Sequence, residues 1–275
     1  MPELPEVETV TNALRPHLTG RTILGVKTYT AKLRYPLNLE GRPEILNQRI
    51  TKVWRRGRYC LVDLESNHTI LVHLGMTGSC RIVAPDEPRL KHEHVVFSLD
   101  NGLQWRYKDA RKFGDVSVHP IEATGKAPAC LDSLGPEPFD ESFDGNFLFL
   151  AAKGKKTAIK TFIMNNAIVT GVGNIYASES LFRAGIRPDI AAGQVSRERL
   201  DCLAQHIRDV LAAAIKAGGT TIIDFETVTG EEGWFSRELQ VYGRDGEACL
   251  RCAAGVIRKF VQTGRSSYYC PNCQS

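Results

Sequence analysis

Two hydrophobic periods divide the chain. Val7, Val10, Leu14 and Leu18 recur at helical spacing and Pro5 suits a first turn, which predicts a helix over 5–18. From position 21 to about position 119, apolar residues fall instead in short runs bounded by turn residues. Examples are 59–64, 69–74, 94–99 and 116–118, with Asp100-Asn101-Gly102 as a hairpin signal. Runs of this spacing predict an antiparallel β-sandwich. Residues 120–145 are rich in Pro, Gly, Asp and Ser, including Gly135-Pro136-Glu137-Pro138, and read as a linker. The helical period returns near 146–152, 156–165, 173–183 and 196–217. In the last of these, Leu200, Leu203, Ile207, Val210, Leu211 and Ile215 make one apolar face. Gly218-Gly219 ends it, and 220–243 has no clear period, which predicts a loop. The expected division is a strand-rich domain 1–131, a linker 132–145, a helical domain 146–219, the loop 220–243 and a cysteine-bearing tail 244–275.

Composition changes this picture little. At 275 residues with 43% apolar content, the chain suffices for two domains of an ordinary globular protein. It has no apolar run of the roughly 18 residues that a membrane helix needs, and no charged-then-apolar leader, so a cytoplasmic protein is expected. A net charge of +4 says little, but the cations cluster. Lys52, Arg55, Arg56 and Arg58 form one group, and Lys153, Lys155, Lys156 and Lys160 another. Such patches suit a polyanion, and equally suit a solvated face.

Cysteine spacing is more specific. Of eight cysteines, four stand late as Cys249, Cys252, Cys270 and Cys273, two CxxC pairs with 17 residues between them. In a reduced compartment this pattern reads as a zinc site. Four thiolates close the coordination shell, so the zinc is structural, one per chain. Cys60, Cys80, Cys130 and Cys202 show no pattern and read as small apolar residues.

The first six residues, Met1-Pro2-Glu3-Leu4-Pro5-Glu6, carry candidate chemistry. Removal of Met1 would leave Pro2 as a terminal secondary amine, partly neutral near pH 7 and nucleophilic. Attack on a sugar C1′ would give an iminium, dividing one hard step into two. Glu3 and Glu6 could move protons beside it. The same residues also suit nothing more than an acidic helix start.

Taken together, that N-terminus, His73-Leu74-Gly75-Met76-Thr77-Gly78, Asp109-Ala110-Arg111-Lys112-Phe113-Gly114, Gly171-Val172-Gly173-Asn174-Ile175-Tyr176-Ala177 and the four-cysteine tail resemble the formamidopyrimidine-DNA glycosylases. That family also includes the endonuclease VIII relatives, and the resemblance covers essentially the whole chain. It implies an α+β multidomain fold: an N-terminal catalytic antiparallel β-sandwich with flanking helices, then a helix–two-turn–helix domain and a β-hairpin zinc finger. It implies a monomeric, nucleoid-associated repair enzyme that binds double-stranded DNA containing oxidised bases or abasic sites, needing no diffusible cofactor. The activity implied is excision of oxidised purines, 8-oxoguanine and formamidopyrimidines, followed by β,δ-elimination at the abasic site.

By the same resemblance Pro2 is the nucleophile, Glu3 the acid and Glu6 a supporting group. Arg58 and Lys160 flank the site, His92 and Asn174 meet phosphates, and Arg265 is the finger arginine that grips the DNA backbone near the lesion. Met76, Arg111 and Phe113 fill the gap left by an extruded nucleotide, Tyr242 joins the DNA-binding set, and 220–243 covers the extruded base. Two features depart from the pattern: arginine stands at 58 where the family usually has lysine, and the spacing between the CxxC pairs is one residue longer, with the extra residue expected between 255 and 259. Two other readings stay open: an endonuclease VIII-like enzyme for oxidised pyrimidines, and an inactive zinc-finger binder of damaged DNA.

Overall fold

The computed structural model describes residues 1–121, 127–220 and 235–275. Counting described residues only, they form two compact units: Met1–Asp132 with 218–220, and Ser133–Ala217 with Phe235–Ser275.

The first unit is built on helix α1 (Leu4–Leu18). Leu4, Val7, Val10, Leu14 and Leu18 all face inward, as their spacing requires. Eight strands follow: β1 (Thr22–Thr28), β2 (Gln48–Arg56), β3 (Tyr59–Leu64), β4 (His68–His73), β5 (Gly78–Val83), β6 (Glu93–Leu99), β7 (Gln104–Asp109) and β8 (Asp115–Pro120). Their order is β5-β7-β6-β1-β2-β3-β4-β8, with every neighbouring pair antiparallel. β1 and β2 pair only at Thr22↔Arg49 and Ile23↔Gln48, so two four-stranded halves meet at a short seam. The halves form the antiparallel sandwich. Val53, Val62, Ile70 and Val72 from one half and Val95, Phe97, Trp105 and Tyr107 from the other share one core with α1. Phe97 and Trp105 stack inside it at 4.5 Å.

The second unit holds α2 (Gly145–Ala152), α3 (Ile159–Ile163), α4 (Asn174–Arg183), α5 (Arg197–Lys216) and the hairpin β9 (Arg258–Gln262)–β10 (Arg265–Tyr269). Asp144 caps α2 through Phe147 N, and Ser196 caps α5 through Arg199 N. The helix expected over 156–165 shortens to the five residues of α3. Backbone bonding explains the loss: Ala192 N donates to Thr157 O, Ala158 bridges to Ala191, and Ile159 N donates to Ile190 O. Those groups are spent on an extended pairing before a helix can claim them.

The stretch 132–145, expected as a linker, is bonded to the helical unit. Gly135 N donates to Asn166 O at 2.8 Å, Thr170 N to Pro136 O at 3.1 Å, and Arg208 Nε to Pro138 O at 3.1 Å. A Cβ at Gly135 would lie 2.6 Å from Ala167 O, so this glycine serves close packing. Among the described residues no helix is long and apolar enough to cross a membrane.

Candidate active site and nucleic-acid interface

Helix α1 begins beside the candidate nucleophile. Pro2 is buried, and Glu3 and Glu6 are 4% and 1% exposed. Glu3 N donates to Glu6 Oε2 at 2.9 Å, one arm of a capping box. The other carboxylate oxygen of Glu6 accepts from Thr220 N at 2.9 Å and Thr220 Oγ1 at 3.0 Å. Gly219 sits at φ +83 against this carboxylate, where a Cβ would come 3.0 Å from Oε1. Glu6 therefore ties the N-terminus to 219–220, and a terminus that would ordinarily fray is held. Of the loop expected over 220–243, residues 221–234 lie outside the described residues. Its far end returns as a single 3-10 turn, Phe235–Glu238.

Two turns present the candidate wedge. Met76 lies between Gly75 and Gly78, half-buried, and Phe113 is 49% exposed with the Arg111 guanidinium 4.8 Å over its ring. An exposed Phe is out of place as core and in place as a contact surface. His73, at the end of β4, lies 5.0 Å from the Tyr59 ring, and its Nδ1 accepts from Gly75 N at 3.2 Å. Burial first, then Arg58 and Arg34, push the His73 pKa down to about 4. The acceptor role needs that neutral ring.

A stability prediction follows from His73. Its folded pKa of about 4 lies below its ordinary 6.5, so the unfolded chain binds the extra proton between those values. The contribution is full above pH 6.5 and lost as pH falls toward 4, up to about 3 kcal/mol. Denaturant unfolding at several pH values should show this loss, and His73→Gln should flatten it. An unchanged pH profile in that variant would refute the assignment.

His92 has a left-handed backbone, φ +71, in the turn before β6. The turn is held from inside. Fully buried Glu93 accepts from Arg81 Nη1 at 3.0 Å, Arg106 Nη1 at 3.2 Å and Leu90 N at 2.9 Å, and Arg106 also donates to Glu87 O. No sequence signal marked this ion cluster, because its charged members stand on three different strands and the loop between two of them.

The first basic cluster is not one exposed face. Arg55 pairs with Glu8 at 2.5 Å and Arg58 is only 7% exposed, leaving Lys52 as its exposed member. The second cluster loses Lys160, which is 2% exposed and donates to Ser266 O at 2.8 Å and Ser267 Oγ at 2.9 Å. Lys160 thus grips β10, the strand that begins with Arg265. Gln262 pairs with Arg265 across Thr263 and Gly264, both at positive φ, a two-residue turn that presents exposed Arg265. Exposed Lys155 joins Arg265 around a cavity of about 400 Å³ with Thr161, Asn165 and Thr263. In the sequence Lys155 stands out only as one charge among several.

Asn174 opens α4 after N-cap Gly173, and its Nδ2 donates to Tyr242 Oη at 3.4 Å. Glu179 on the same helix accepts from the backbone N–H of Gln240, Val241 and Tyr242 at 2.8 to 2.9 Å. Burial raises its pKa against the pull of those three donors. Glu179 is a second residue that sequence reasoning missed.

The four late cysteines come together, with all sulfurs within 4.8 Å of one another. Cys249–Cys273 and Cys252–Cys270 sulfur pairs are each 3.8 Å apart. A tetrahedron with Zn–S bonds of about 2.3 Å has edges of about 3.8 Å, so the set fits zinc. Arg251 N and Gly255 N point at the Cys249 and Cys252 sulfurs, as donors around thiolate ligands do. A Cβ at Gly255 would lie 2.6 Å from the Cys270 sulfur, which excludes any larger residue there. Phe182 of α4 packs with Cys249, Ile257 and Cys270 beneath the site.

Residues 1–116 match the Formamidopyrimidine-DNA glycosylase N-terminal domain, 134–226 the Formamidopyrimidine-DNA glycosylase H2TH domain, and 246–275 the zinc finger found in FPG and IleRS. The chain belongs to the formamidopyrimidine-DNA glycosylase family. A formamidopyrimidine-DNA glycosylase of Stenotrophomonas maltophilia is 47% identical over 275 residues, all of both chains. Among solved structures, wild-type Lactococcus lactis Fpg with DNA containing N7-benzyl-Fapy-dG matches at a TM-score of 0.89 and 32% identity, over 100% of both chains. The same enzyme with DNA containing an oxidised pyrimidine matches at 0.89 and 33%, again over 100% of both.

Within this family frame the candidates divide between the units. Pro2, Glu3, Glu6, Arg58, Met76, His92, Arg111 and Phe113 belong to the first, and Lys160, Asn174, Tyr242, Arg265 and the zinc ligands to the second. The cysteine set is a zinc finger with a β-hairpin, and its zinc is structural.

Proposed function

We propose that the chain excises oxidised purines, 8-oxoguanine and formamidopyrimidines, from duplex DNA and then cleaves the abasic site. The observation that supports this most directly is the anchored N-terminus: Pro2 is buried at the start of α1, beside Glu3 and the doubly bonded Glu6. With Met1 removed, the Pro2 amine attacks C1′ of the damaged nucleotide. The N-glycosidic bond breaks and its electron pair leaves with the base. Glu3 protonates the sugar ring oxygen as the ring opens, leaving an iminium on Pro2. The iminium acidifies the 2′ hydrogens, so loss of one expels the 3′ phosphate and a second elimination expels the 5′ phosphate. Water then releases Pro2.

Glu6 serves by position. Arg58 acts as a fixed cation, since arginine cannot give up a proton in a protein. Met76, Arg111 and Phe113 fill the gap left in the stack, offsetting part of the few kcal/mol that extrusion costs. His92, Asn174 and Arg265 meet phosphates and Tyr242 stands with Asn174, while Lys160 holds the strand that presents Arg265. Zinc supplies no chemistry beyond holding that hairpin.

Oxidised pyrimidines are a second substrate class, favoured by the Lactococcus lactis complex with such DNA. A panel of duplexes tests the reading. Excision of 8-oxoguanine opposite cytosine is expected to be fastest. Faster removal of thymine glycol would move the chain to the pyrimidine reading, and tight binding with no product would make it a damaged-DNA binder.

A further inference from the structure

We propose that Thr77 and Asp109 form one positioning unit that locks the Met76 turn to the turn of Arg111 and Phe113, so that DNA meets a single preformed wedge. The inference rests on the wedge role given above to those three residues. Asp109, at the end of β7, is fully buried. Its Oδ1 accepts from Thr77 Oγ1 at 2.6 Å and from Arg111 N at 3.2 Å. Its Oδ2 accepts from Gly114 N at 2.8 Å and Tyr107 Oη at 3.4 Å. The Thr77 hydroxyl also accepts from Arg111 N at 3.1 Å, so it joins both turns by itself. One carboxylate therefore takes donors from the turn before β5 and from both sides of Phe113. Its charge is satisfied there, which makes the arrangement specific rather than merely tolerated.

The backbones agree with this reading. A Cβ at Gly75 would lie 2.4 Å from Gly114 N, and one at Gly114 would lie 1.8 Å from Tyr107 Oη and 3.0 Å from Asp109 Oδ2. The turns touch main chain to main chain, leaving no room for a side chain to separate them. Gly75 at φ +63 and Lys112 at φ +55 sit in left-handed conformations, and the donors on Asp109 bracket Lys112. An exposed Phe on an unrestrained turn would lose conformational entropy each time it entered a base stack. Two turns fixed beforehand on one buried carboxylate incur that loss at folding, so more of the contact energy goes into holding the extruded state.

Thr77→Val keeps the side-chain shape and removes the hydroxyl. Excision of 8-oxoguanine and affinity for duplex containing tetrahydrofuran, an abasic analogue, should each fall about tenfold, the size of one lost hydrogen bond to a buried charge. Thr77→Ser should restore both. A 2-aminopurine placed opposite the tetrahydrofuran reports wedge entry by fluorescence, and its change should be smaller with Thr77→Val. In a Met76→Ala/Phe113→Ala background, Thr77→Val should have almost no further effect on excision, because the wedge it positions is gone.

The inference is overturned if Thr77→Val matches the wild type while Met76→Ala/Phe113→Ala is impaired. It is equally overturned if the valine costs the same fold in both backgrounds, the behaviour of a general loss of stability. A Met76→Ala/Phe113→Ala variant as active as the wild type would instead refute the wedge reading itself, and this inference with it.

Discussion

Borohydride added during turnover on 8-oxoguanine duplex is expected to trap a covalent protein–DNA adduct, and peptide mapping should place it on Pro2. The reason is that reduction of an iminium leaves a stable amine at the atom that attacked. A chain that keeps Met1, or carries an N-terminal tag, holds the Pro2 nitrogen as an amide with no nucleophilic lone pair. Both excision and strand cleavage should then fall on the order of 10³-fold or more, the scale for loss of a nucleophile. Fold and DNA affinity should stay nearly unchanged, since α1 is held by its apolar stripe and by Glu6 rather than by the free amine. Glu3→Gln should separate the two activities. Excision needs acid assistance worth about 10²–10⁴-fold, whereas an abasic sugar already opens by itself and should be cut within about tenfold of the wild-type rate. An adduct mapped to a lysine would end the Pro2 assignment. Equal loss of both activities in Glu3→Gln would end the division of labour.

Removing zinc is expected to have the second largest effect. Cys252→Ser, or prolonged chelation, should release one zinc per chain by elemental analysis. Binding of a structural zinc by short modules is worth about 10–16 kcal/mol at neutral pH, and that binding energy is folding energy. The hairpin β9–β10 should therefore lose its structure, and Arg258, Lys259 and Arg265 their fixed positions. With each charged hydrogen bond worth about 1.5–3 kcal/mol, affinity for lesion duplex should drop about 100-fold or more. The sandwich should keep its strand content and its thermal transition, because its core contains none of the four ligands. Metal-free protein that binds and cuts DNA normally would refute a structural role for zinc.

These two expectations concern the parts most legible in the sequence. Cysteine spacing names its own ligands, because two CxxC pairs within one short segment have few other uses. Pro2 beside Glu3 and Glu6 is less explicit: the residues alone suit an acidic helix start as well as a nucleophile, and only the resemblance of several motifs together favours the second. The stripe of α1 and the strand runs were legible because the periods 3.6 and 2 are imposed by the local backbone.

What only the tertiary structure decided was the identity of distant partners. Glu6 is written as a helix-start acid, yet its second oxygen is taken by Thr220, 214 positions away. Lys160 is written as one of a group of surface cations, yet it is buried on Ser266 and Ser267, more than 100 positions on. Asp109 heads a motif and Glu179 belongs to another stretch without one, yet nothing local announces that either carboxylate gathers three or more donors, because those donors are backbone amides and hydroxyls that every sequence contains. The expected helix over 156–165 failed on the same ground, since 190–192 took its backbone groups first. By itself the sequence determined the zinc ligands and the periodic elements, each set by neighbours within a few residues. The fold alone decided which charges are buried and which turns are locked together, because burial and hydrogen-bond geometry depend on segments brought close only by packing.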